Sequence, residues 1–66
     1  MQLVLNGDSL AYEGTPTIAG LLEFLHTEPG RVAVVVNDEV VIREQRASRQ
    51  LHPGDRVELV TFAAGG

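Results

Sequence analysis

Val32-Ala33-Val34-Val35-Val36-Asn37-Asp38-Glu39-Val40-Val41-Ile42 is the stretch on which the fold turns. Its first five residues are apolar, and all but Ala33 are β-branched, which favours an extended strand over a helix. They are apolar at every position rather than at alternate ones. Such a strand is either central in a sheet or carries its second face to a partner. Asn37-Asp38-Glu39 is turn chemistry, and Val40-Val41-Ile42 is a second short run that folds back on the first. We expect this fourth strand to continue through Ile42.

Moving toward the N-terminus, Pro29-Gly30 marks a stop. Before it, Ile18, Leu21, Leu22 and Leu25 fall at i, i+3, i+4 and i+7, one apolar stripe of a helix about ten residues long, with Thr17 placed to cap its first turn. Phe24 lies at the stripe's edge. A glycine inside this helix, Gly20, costs about 1 kcal/mol against alanine, which points to a close packing contact at that position. Earlier still, Gln2-Leu3-Val4-Leu5 and Ser9-Leu10-Ala11-Tyr12-Glu13 flank Asn6-Gly7-Asp8, a strong hairpin signal because Asn and Gly both tolerate positive φ.

Toward the C-terminus, residues 43 to 51 lack a clear period and read as an irregular or one-turn helical segment ending at Leu51. Pro53-Gly54 suits a type II turn. It launches Arg56 to Phe62, an alternating strand with Val57 and Leu59 on one face and Glu58, Val60 and Phe62 on the other. The order is hairpin, helix, strand pair, irregular turn, last strand. The economical packing is an α+β domain with one mixed sheet of four to five strands and the helix across one face, the β-grasp (ubiquitin-like) arrangement. The expected core is Leu3, Leu5, Ile18, Leu21, Leu22, Leu25, Val57 and Leu59. Residues 1–62 are expected to form this domain and 63–66, Ala63-Ala64-Gly65-Gly66, a flexible tail.

Sixty-six residues are enough for one core, and 44% hydrophobic against 21% charged residues is a globular composition. Cysteine is absent, which excludes thiol nucleophiles, zinc-thiolate sites and redox motifs. The net charge of −4 argues against a nucleic-acid backbone binder. The longest apolar run, Val32 to Val36, is far below the roughly 20 residues that span a bilayer, so no membrane is expected and the chain is read as soluble and cytoplasmic. Phosphate-binding glycine loops and zinc-protease motifs are missing, His26 and His52 stand far apart, and Asp38-Glu39 belongs to a turn. So small a domain also leaves little room for a substrate pocket, commonly about 300 Å³ or more. No catalytic residue, bound cofactor or metal site is expected, and the chain is read as a non-enzyme.

The feature that remains is Gly65-Gly66, read as the chain terminus. The glycines follow an amphipathic strand directly, and without Cβ atoms they pass through a narrow slot and let another backbone approach closely. Val60 and Phe62, joined by alternate valines such as Val35 of a neighbouring strand, are expected to form an outward apolar patch beside this tail, a partner-binding surface. The competing arrangement has residues 43 to 52 covering that face.

Val34-Val35-Val36-Asn37, Val41-Ile42-Arg43-Glu44, Leu51, Pro53-Gly54-Asp55-Arg56-Val57-Glu58-Leu59-Val60 and Gly65-Gly66 together resemble the ThiS family of thiamine-biosynthesis sulfur carriers. The likeness extends to Met1-Gln2-Leu3-Val4-Leu5-Asn6-Gly7 and to Leu21-Leu22. It implies a covalently charged carrier. A partner adenylating (activating) enzyme uses ATP and Mg²⁺ to convert the Gly66 carboxylate into an acyl-adenylate. A sulfur-donor protein then turns it into a thiocarboxylate, and thiazole synthase receives the sulfur. Gly65, Ala64 and Ala63 would supply reach. The Gly-Gly end and the Gly54-Asp55 turn are shared with molybdopterin-synthase small subunits and other ubiquitin-like carriers and modifiers, which stand as alternatives.

Overall fold

The computed structural model describes residues 1–62. The expected tail at 63–66 lies outside the described residues. The elements are β1 (Gln2–Leu5), β2 (Asp8–Ala11), α1 (Ile18–Phe24), a one-turn 3-10 helix at Pro29–Arg31, β3 (Val32–Val36), β4 (Glu39–Val41), a second 3-10 turn at Arg43–Gln45, and β5 (Arg56–Thr61). The five strands form one sheet in the order β2-β1-β5-β3-β4. β1 and β5 run parallel and every other neighbouring pair antiparallel, so the sheet is mixed. β5, the last strand in sequence, is the central one.

Both hairpins turn on residues with positive φ. Asn6 and Gly7 have φ of 48° and 85°, and Asn37 and Asp38 have φ of 50° and 70°, the backbone that lets two-residue turns follow the right-handed twist of their strands. Each asparagine then reaches onto the central strand. Asn6 Oδ1 accepts from the Leu59 amide at 2.8 Å, and Asn37 Oδ1 accepts from the Arg56 amide at 2.9 Å. Asn37 Nδ2 also donates to Asp55 Oδ1 at 3.0 Å, while Asp55 Oδ2 accepts from the His52 amide at 2.9 Å and holds the Pro53-Gly54 turn. These side chains extend the ladder at both flanks of β5, where backbone partners run out.

The helix is shorter than its stripe suggests, seven residues rather than about ten. Thr17 caps it as expected, its Oγ1 accepting from the Gly20 amide at 3.1 Å. The stop comes before Pro29-Gly30. His26 takes φ of 56°, its amide bonds the Glu23 carbonyl, and the Thr27 amide bonds the Leu22 carbonyl, the Schellman pattern that usually employs glycine. Seven residues make a helix far too short to persist alone. It is held by Ile18, Leu21 and Leu22, all buried against the sheet.

The core joins those three to Leu3, Tyr12, Val32, Val34, Val36, Val41, Leu51 and Val57. Leu5, Leu25 and Leu59, expected within it, pack against it half-buried. Tyr12 takes a place there because its ring lies against Gly14 and Gly20 and edge-on to Phe24, with centroids 5.2 Å apart. Its hydroxyl donates to the Thr15 carbonyl at 2.6 Å. A Cβ on Gly20 would stand 2.7 Å from that same carbonyl, the close contact the helix glycine foretold. β4 ends at Val41 rather than running through Ile42, which leads instead into the Arg43–Gln45 turn.

Arg46 follows that turn and is buried. Its Nη1 donates to the Pro29 carbonyl at 2.8 Å and its Nη2 to the Val32 carbonyl at 2.6 Å, tying residues 43–46 to the start of β3.

Candidate functional site: the open face of the sheet

Because the sheet has a helix on one face only, its strands alternate between a covered and an uncovered side. β3 shows the alternation directly: Val32, Val34 and Val36 are buried, and Ala33 and Val35 are half-buried. In an antiparallel pair, residues opposite each other project to the same face. Ala33 lies opposite Val60, and Val35 lies opposite both Glu58 and Val40. The open face therefore brings together Ala33, Val35, Val40 and Val60.

Val60 is 52% exposed, Phe62 56%, Val40 70% and Ile42 51%. Of the expected residues, Val60 and Phe62 are thus exposed together with two more, Val40 and Ile42, and Val35 is half-buried on the same face. Alternation would have found Val40 once it was paired with Val35, but Val40-Val41-Ile42 alone reads as apolar on both sides. The alternative arrangement, in which residues 43 to 52 cover this face, does not occur. That segment lies against the start of α1: the Ala19 amide bonds the Arg46 carbonyl, the Ile18 amide the Arg49 carbonyl, and the Leu51 amide the Pro16 carbonyl. Leu51 enters the core beneath.

An apolar cluster rimmed by charge has the make-up of a protein-contact surface. Glu58 stands within it opposite Val35, and the Arg56–Asp38 ion pair, 3.0 Å and exposed, lies at the β5–β4 end. The cluster extends to the last described residue. The Phe62 amide bonds the Arg31 carbonyl at 2.8 Å, so the last described residue is tied to the turn before β3 at the apolar end of this face. Gly66, Gly65, Ala64 and Ala63 belong beyond that point and outside the described residues.

Among the described residues no group of three His, Asp or Glu side chains could hold a metal ion. No described helix is long and apolar enough to cross a membrane. Burial raises the pKa of the Tyr12 phenol, and the charge of Glu23 raises it further, but the phenol is spent on the Thr15 carbonyl.

Comparison with known proteins bears on the whole chain. The model of the ThiS family matches residues 3–66. The sulfur carrier protein ThiS of Escherichia coli K12 is 32% identical over 66 residues, covering all of both chains. A thiazole synthase of Paramagnetospirillum magneticum is 35% identical over the same span, which is all of this chain and 20% of that protein. The crystal structure of thiamine biosynthesis protein ThiS from Geobacter metallireducens superposes with a TM-score of 0.84 at 32% identity, over the full length of both chains.

Proposed function

The chain belongs to the ThiS family, and from that premise we propose that it is a sulfur carrier of thiamine biosynthesis, charged at Gly66 by partner enzymes. The observation that carries the reading is the match over this whole chain, in sequence and in fold, to ThiS proteins that it also covers from end to end. It is a carrier rather than an enzyme in this reading, and it works in the cytoplasm. The open apolar face leading into the Gly-Gly end supports the same view: the domain is recognised and the tail reacts.

A carboxylate is a poor electrophile, so the reaction begins by giving it a leaving group. In the adenylating enzyme's site, a Gly66 carboxylate oxygen attacks the α-phosphorus of Mg²⁺-bound ATP, and pyrophosphate departs. A sulfur nucleophile then adds to the acyl carbon and AMP is expelled. That nucleophile is the outer sulfur of a donor persulfide, so the adduct is an acyl disulfide; a second thiol of the partner proteins attacks its donor-side sulfur, forming a disulfide with the donor and releasing Gly66 as a thiocarboxylate. The chain has no cysteine, so that nucleophile comes from a sulfur-donor protein. Thiazole synthase is the proposed recipient, supported by relatives in which a stretch matching all 66 residues forms a fifth of a thiazole synthase.

In this reading Val60, Phe62, Val35, Val40 and Ile42 dock against the adenylating enzyme, while Gly65, Ala64 and Ala63 let Gly66 enter a narrow channel. The experiment is ATP–pyrophosphate exchange with a competent adenylating enzyme. The parent should support exchange, whereas deletion of Gly66 or an added residue after it should abolish exchange in a folded domain. Exchange retained by the deletion would remove the reading.

A further inference from the structure

Between α1 and the segment that follows β4 lies a groove of about 570 Å³, inside the usual range of ligand clefts, about 300 to 1,000 Å³. It is larger than so short a chain suggests, because the seven-residue helix stops early and residues 43–47 stand beside its end rather than closing over it. Leu22 and Ala47 give it apolar walls, Glu23 lines it from the helix and His26 from just past its end, and Arg43 and Arg46 line it from the opposite segment.

Its charges are unbalanced. Arg31, Arg49 and Arg56 each have an acid within 4 Å, at Glu28, Glu39 and Asp38. Among the described residues Arg43 and Arg46 have none. Arg46 is 8% exposed, is satisfied only by the carbonyls of Pro29 and Val32, and keeps its Nε buried without a hydrogen-bond partner. A guanidinium withdrawn from water is costly unless an anion compensates it, and two carbonyl dipoles do so only in part. On a chain of net charge −4, this is a local positive site with an apolar wall.

We propose that the groove seats an acidic side chain of a partner protein, a Glu or Asp flanked by apolar residues. Arg43 meets its carboxylate directly, and the charge of Arg46 acts from behind. A protein fits better than a free anion for two reasons. The apolar wall has no use for an inorganic ion. The carbonyls that hold Arg46 also bracket Arg31, whose own carbonyl receives the Phe62 amide, so the groove and the end of β5 share one turn. This inference is independent of any chemistry at Gly66.

The test is amide NMR of the ¹⁵N-labelled chain titrated with acetyl-Leu-Glu-Leu-amide, its Gln analogue and inorganic phosphate. The Glu peptide should give saturable shifts at His26, Thr27 and Ala47. Affinity should fall about tenfold for the Gln peptide and for the exposed-site variant Arg43→Glu, since a hydrogen bond to a charged group is worth at least that. Glu23→Gln, which removes the acid among the lining residues, should tighten binding. The proposal is overturned by absence of saturable shifts, by equal binding of the Gln peptide, by unchanged affinity in Arg43→Glu, or by phosphate reproducing the same pattern.

Discussion

On the face of the sheet that carries α1, Val34, Val36 and Val57 are sealed from water, while on the other face Val40, Val60 and Phe62 stand open. Both sets are apolar, and β5 contributes to both, as β3 does through Val35 on the open side. What separates them is the single helix: one layer covers one face, so the remaining apolar side chains are surplus to folding. Burying a valine or leucine contributes about 1.5 to 3 kcal/mol, and only the covered face collects it. The open face keeps its apolar surface for a partner. Substitutions should therefore divide cleanly, with stability lost on one face and recognition lost on the other.

The largest stability effect belongs to the covered face. Leu21→Ala removes a fully buried side chain from the centre of the helix contact and should cost about 2 to 5 kcal/mol, read as a drop in the denaturant midpoint. In a domain this small that approaches the whole stability. Gly20→Ala comes next. Alanine favours helix by about 1 kcal/mol, but its methyl would lie 2.7 Å from the Thr15 backbone oxygen. Overpacking of about 1 to 3 kcal/mol should reverse the sign, and a raised melting temperature would show that the Tyr12–Thr15 corner yields.

Tyr12→Phe should cost about 1 kcal/mol through the bond to the Thr15 carbonyl, and it carries a pH signature. Because the folded phenol pKa is raised, the unfolded chain releases its proton first as pH climbs past about 10. The phenol's contribution is thus complete below that pH and is lost as pH rises through the folded value. Denaturation from about pH 8 to about pH 11 should show the parent losing stability more steeply than Tyr12→Phe, and parallel curves would contradict the burial argument. The smallest stability effect should come from the open face. Val60→Asp should change stability by no more than about 0.5 kcal/mol yet weaken adenylation by the partner enzyme. Unimpaired adenylation would mean that docking uses another surface.

Much of this division is legible in the amino-acid sequence. Asn6-Gly7, Thr17, the Ile18–Leu25 stripe and the alternation of β5 each obey a local rule, and local rules survive folding. The misreadings involve partners distant in sequence. Leu59 sits on the covered side, opposite the fully buried Val34, but is itself only half-buried. Leu59→Ala should consequently cost less than Leu21→Ala. Tyr12 reads as one residue of a strand face, yet its depth depends on Gly14 and Gly20, which leave space for its ring. Arg46 carries no signal, because an arginine in an aperiodic segment reads as surface until the carbonyls of Pro29 and Val32 are found around it. Of the site, Val35, Val60 and Phe62 follow from alternation, while Val40 and Ile42 need the register of β4 against β3.

The carrier role is tested most directly by the intact mass of the protein after incubation with a competent adenylating enzyme, ATP and a sulfur donor. Charging at Gly66 predicts that one carboxylate oxygen is replaced by sulfur, and that the change disappears when Gly66 is deleted. An unchanged mass with an enzyme that charges another ThiS protein under the same conditions would contradict it.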